Sequence, residues 1–113
     1  MRPAWLLRGG EVLAAADVAD RPVERMRGLL GRRSYEGAML LPNTRAVHTV
    51  FMRFPVDVAY VSDDLTVLAT ARMARWRVGL PRRGCHGVLE ASAGSFERWG
   101  LSVGDRLEIR DVT

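Results

Sequence analysis

Short apolar stretches alternate with turn-forming residues along the whole chain. Residues 5–8 and 12–16 flank Gly9-Gly10, which predicts two short strands joined by a hairpin-type turn. Asp20-Arg21-Pro22 predicts a helix start, with Asp at the cap and Pro in the first turn. Val23, Met26, Leu29 and Leu30 then recur at helical spacing, and Gly31 is the expected stop. Residues 38–41 read as a strand ended by Pro42-Asn43, and residues 49–54 as another, broken by Pro55. The near-continuous apolar run 56–61 predicts a strand buried on both faces. Asp63-Asp64 turns it back into 65–71, and residues 72–87 read as an Arg-rich loop. A strand over 87–91 follows. Next come a helical turn over 95–99, capped by Ser95 and stopped by Gly100, and a last strand over 106–110. Many short strands with one or two short helices predict a mainly β protein, a single compact β-sandwich or open-barrel-like domain.

Composition narrows the class. The chain has 113 residues, 48% of them apolar and 27% charged, which suits one domain with a real core and argues against intrinsic disorder. No apolar run approaches the ~18 residues that span a bilayer. All 17 basic residues are arginine and the net charge is +4, which favours solubility and weak attraction to anions. The single cysteine, Cys85, excludes an internal disulfide. The first apolar run stops at Arg8, too early for a leader core, so a cytoplasmic location is expected.

Three groups of residues invite a chemical reading. Asp57 lies inside an apolar strand, where an ionised carboxylate must pair, hydrogen-bond or protonate. Arg53, Arg25 and Arg27 are the partners considered, and the alternatives are a structural ion pair or a carboxylate in a ligand cleft. His48-Thr49 precedes the same stretch and reads as a loop anchor, a ligand contact or a base. Outside the three groups, Glu90 follows Val88-Leu89 and, if half buried, needs an arginine. The third group is Arg72, Arg75, Trp76, Arg77, Arg82 and Arg83, in a stretch without acids between Asp64 and Glu90. Such a loop is either a solvated surface or a place to hold a nucleic-acid backbone and stack a base. With two His and one Cys in all, no metal site is expected, and no phosphate-loop spacing or other cofactor signature occurs.

These residues fall in four stretches that resemble the family known as domain of unknown function 192. They are Arg25-Met26-Arg27-Gly28-Leu29-Leu30 with Gly37-Ala38-Met39-Leu40, and then His48-Thr49-Val50-Phe51-Met52-Arg53-Phe54-Pro55-Val56-Asp57. Val88-Leu89-Glu90-Ala91-Ser92-Ala93-Gly94 and Gly100-Leu101-Ser102-Val103-Gly104-Asp105 complete the set, over roughly residues 20–110. The resemblance implies a compact, mostly β domain and no assigned reaction. It marks Gly28, Leu29, His48, Thr49, Met52, Arg53, Pro55, Asp57, Glu90, Gly94, Gly104 and Asp105 as family positions. Leu30 stands where many relatives have Met, and many relatives are exported whereas this chain shows no leader.

The leading functional expectation is a non-enzymatic binding or accessory module. Its polar cleft would be built from His48, Thr49, Arg53 and Asp57 with Arg27 and Glu90, for a small anionic or polyhydroxy ligand or a partner protein. The rival is an enzyme with His48 as base and Asp57 or Glu90 as orienting carboxylate. Nucleic-acid binding through residues 72–83 ranks third. A monomer or weak homodimer is expected, and no cofactor.

Overall fold

The computed structural model describes residues 1–29, 32, 34–46, 52–79 and 81–112. In chain order the elements are β1 (Arg2–Arg8), β2 (Glu11–Val18), α1 (Pro22–Arg27), β3 (Ala38–Pro42), β4 (Val56–Val61), β5 (Val67–Met73), β6 (Gly87–Ser92), α2 (Ser95–Trp99) and β7 (Leu107–Asp111). The strands form one sheet in the order β5-β4-β6-β3-β2-β1-β7. Only β2 and β3 run parallel, joined by the crossover that carries α1; the other neighbours are antiparallel.

The two edge strands meet. Val67 N–H donates to the Asp105 carbonyl (2.8 Å), Gly104 N–H to the Val67 carbonyl (2.8 Å) and Leu107 N–H to the Leu65 carbonyl (3.0 Å). Among the described residues β5 and β7 pair only around this bridge, Thr66 to Arg106, so the sheet curls into a partly open barrel. This decides between the two β architectures the sequence allowed.

Strand alternation builds two apolar cores. Leu6, Val18, Leu40, Ala59, Val61, Leu89 and Leu107 fill the barrel interior. Met39, Val56, Val58, Tyr60 and Val88 point outward and are covered by Leu29, Tyr35, Met52 and Cys85. β4 is therefore buried on both faces, as its near-continuous apolar run predicts, because it lies between the interior and this outer layer.

Several local expectations change. The first helix ends at Arg27, where Gly28 takes φ 49°. Its predicted apolar stripe is not buried: Val23 and Met26 are 59% and 75% exposed, and of the described members only Leu29 reaches the core. Asp20 does not cap it; Asp20 pairs with Arg2, and the Glu24 side chain accepts from the Arg21 N–H instead. The predicted strand 49–54 falls partly outside the described residues, and Met52–Phe54 is not strand. β5 runs to Met73, so Arg72 belongs to a strand and not to the loop. α2 starts after Gly94, and Ser95 lies within the helix, not at its cap.

Candidate functional site

β4 alternation places Asp57 on the interior face with Ala59 and Val61, at the barrel end where β4 begins. α2 lies across that end, its Phe96 packed into the interior core. A helix this short leaves nearly all its terminal N–H and C=O groups without helical partners. The Asp57 carboxylate meets that need from a distant strand. Its Oδ2 accepts from Gly94 N–H (2.9 Å) and Phe96 N–H (3.1 Å), and its Oδ1 from Arg72 Nε (3.1 Å). At the other end of α2, the Arg8 guanidinium donates to the carbonyls of Trp99 (2.8 Å) and Gly100 (2.9 Å) and to Asp105 Oδ2 (3.0 Å). The anion sits at the amino end and the cation at the carboxyl end, the sense that suits the peptide dipoles.

The arginine that reaches Asp57 is Arg72, not Arg53, Arg25 or Arg27. Counting back from the turn would have missed it: the Val61–Val67 pair implies Ala71 opposite Asp57, and the register shift between Tyr60 and Val61 brings Arg72 there instead. Arg25 donates to the Asp20 carbonyl. Arg27 and Arg53 are exposed and pair with neither Asp57 nor Glu90. His48 and Thr49 lie outside the described residues.

Glu90 occupies the opposite face of the sheet. Its register partners are Met39 and Val58, both in the outer core, whereas Asp57 pairs with Ala91 in the interior. The structure therefore does not bring Asp57 and Glu90 into one cleft. Glu90 is 3% exposed, and no described residue donates a hydrogen bond or ion pair to it, so the expected arginine partner is not among them. Gly28 leaves it room: a Cβ there would sit 3.2 Å from Glu90 Oε1. Burial alone pushes the Glu90 carboxyl up to about 7. In the same row, beyond Met39, stands Asp17, which accepts from the Tyr35 hydroxyl at 2.6 Å. Burial, followed by the bond to Asp17, raises Tyr35 above its ordinary value.

The Arg-rich group disperses. Arg72 holds Asp57, and Arg82 stacks 4.7 Å over the Tyr60 ring. Arg75, Arg77 and Arg83 are exposed, and Trp76 is 55% exposed.

Sequence reading missed a cleft of about 610 Å³ beside α2. β2 and β3 pair only from Ala16 and Ala38 onward, so ahead of this point the space between Ala14-Ala15 and α2 is open. Ser92, Ser95, Arg98, Trp99, Tyr35 and Glu36 line it. Arg98 donates to Ser95 Oγ (3.1 Å), which lies 3.2 Å from Ser92 Oγ. The available signal was Ser95 and Arg98 at i and i+3 on one short helix.

A family model matches residues 5–109: DUF192, described as an uncharacterized ACR. The chain belongs to the DUF192 family. A UPF0127 protein of Pyrococcus furiosus is 32% identical over 106 residues, 89% of this chain and 91% of the relative. A UPF0127 protein of Pyrococcus abyssi is 27% identical over 97 residues, 81% of this chain and 83% of that one. Two solved structures share the architecture. One is a protein of unknown function from Novosphingobium aromaticivorans, with TM-score 0.76 and 23% identity over 94% of this chain and 83% of its own. The other is a "putative transcription regulator" from Sinorhizobium meliloti, with TM-score 0.77 and 28% identity over 96% and 92%. The first of these carries the fold alone. Among the residues that the resemblance marks, Asp57, Gly94 and Asp105 take part in the clamp on α2.

Two predictions follow from this geometry. Asp57→Asn removes the charge and one acceptor from a group that takes three hydrogen bonds. It costs about 2–3 kcal/mol, read as a melting point lower by about 10 °C. For Glu90, the folded-state pKa of about 7 lies above the ordinary 4.5, so the fold favours the neutral form. The stabilisation is complete below about pH 4.5 and is lost as pH rises through about 7, a change of about 3 kcal/mol. Denaturant titrations of the wild type and Glu90→Gln should therefore diverge over that window, with the variant the more stable at about pH 8.

Proposed function

We propose that this DUF192 chain is a non-enzymatic binding module that holds a small polyhydroxy ligand in the cleft beside α2. The observation that carries this reading is the composition of the cleft wall. It combines hydroxyls and a guanidinium as donors, the Glu36 carboxylate as acceptor, and the Trp99 ring as an apolar surface, within about 610 Å³. Ligand sites commonly have such a volume and a few convergent polar groups. A polyol carries donors and acceptors around an apolar body and matches that mixture. A bare anion matches it less well, since Glu36 faces the same space as Arg98. Asp57 then serves as a positioning residue. It fixes the backbone at Gly94 and Phe96, and through it the Ser95 and Arg98 side chains. The enzymatic alternative has less support, because Asp57 already accepts three hydrogen bonds and Glu90 lies on the other face.

Titration with a panel of hexoses and linear polyols, followed by intrinsic tryptophan fluorescence, tests the proposal. At least one should bind saturably, and Arg98→Ala should weaken it about tenfold, the effect of losing one charge-assisted hydrogen bond. Arg98 is exposed, so its melting point should not move. Binding that is absent across the panel, or indifferent to Arg98→Ala, overturns the reading.

A further inference from the structure

The opposite end of the barrel carries a second set of convergent groups. There β3 and β4 end and β6 and β5 begin, with Pro42 and Val61 both in register with Gly87. No helix among the described residues crosses this end as α2 crosses the other. Two clefts open here and share Asn43 and His86. The larger, about 350 Å³, adds Arg45 and the backbone at Gly84 and Cys85. The smaller, about 200 Å³, is floored by Leu40, Pro42 and Leu65 and rimmed by Asp63. The charged Arg45 thus lines one cleft and the apolar Leu40, Pro42 and Leu65 the other, with Asn43 and His86 common to both.

The walls are held by backbone and thiol bonds. Asn43 N–H donates to the His86 carbonyl (2.8 Å), and His86 N–H to the Val61 carbonyl (2.8 Å). The Cys85 thiol lies 3.4 Å from the Thr44 carbonyl and 3.2 Å from the Gly87 carbonyl. No described residue accepts a hydrogen bond from the side chains of Asn43, Arg45 or His86. Two of the three described non-glycine residues with positive φ stand at this end, Asn43 at 54° and Leu65 at 64°. Such conformations cost energy and gather where a site imposes them.

We propose that this end of the barrel binds a small organic anion by its carboxylate or phosphate head, with a short apolar body. The Arg45 guanidinium supplies a fixed fork to the head, and the Asn43 amide NH2 and an imidazole N–H of His86 add donors beside it. The body lies over Leu40, Pro42 and Leu65. Asp63, on the far rim, repels a second anionic group there and so sets the ligand's direction. This site is independent of the polyol cleft, which lies at the α2 end.

Amide chemical-shift titrations with butyrate, butyl phosphate and butylamine test it. The expected result is saturable movement of the Gly84, Cys85 and His86 amides with one or both anions and none with the amine. Whichever anion moves them identifies the head group. Arg45→Ala should weaken the effect about tenfold while leaving the melting point and the polyol response intact. Saturation by butylamine as readily as by the anions overturns the proposal, as does saturation that survives Arg45→Ala or movement by no probe. Arg98→Ala should leave these shifts unchanged, so failure at either end is read separately.

Discussion

The carboxylate of Asp57 joins elements that are far apart in the chain. It comes from β4, receives a guanidinium from β5, and anchors the start of α2 after β6. An isolated five-residue helix has no independent stability, because nucleation costs more than one turn returns. α2 persists because a charge is fixed at each of its ends and Phe96 is buried between them. Removing the Asp57 charge leaves the buried Phe96 N–H without its acceptor, whereas the carbonyls that Arg8 holds lie nearer the surface. Asp57 and the start of α2 therefore hold each other in place.

The period of two in β-strands separates the two buried acids. Asp57 faces inward and meets donors; Glu90, on the neighbouring strand one residue from Asp57's register partner Ala91, faces outward into the layer that holds Leu29 and Met52 and meets none among the described residues. One carboxylate is thereby an anchor and the other a destabilised group that titrates near neutrality. Both look alike in sequence, an acid within an apolar run. Their difference is set by which face each occupies and what covers that face. The barrel ends follow the same logic, one plugged by a charged clamp and the other left with donors directed at solvent.

Much of the architecture was legible. β4 is read from its near-continuous run, apolar at five of six positions, and β6 and α2 from their turn residues, because these signals are local. α1 shows the limit. Val23 and Met26 have helical spacing, yet spacing does not supply something to pack against, and both remain exposed. The cap on α2 was misplaced to Ser95 because its true partner is Asp57, 37 residues upstream and brought there only by the closed sheet. Arg72 faces Asp57 through a register shift between Tyr60 and Val61, and the α2 cleft depends on where β2 and β3 cease to pair; no sequence pattern marks either.

Native-state hydrogen exchange at the Gly94 and Phe96 amides tests the clamp most directly. If Asp57 holds α2, both amides are protected to nearly the same free energy as the amides of β4 and β6. In Asp57→Asn these two should then exchange faster than the strands around them. Exchange at the rate of an open loop in the wild-type protein, or protection untouched by the substitution, contradicts the account.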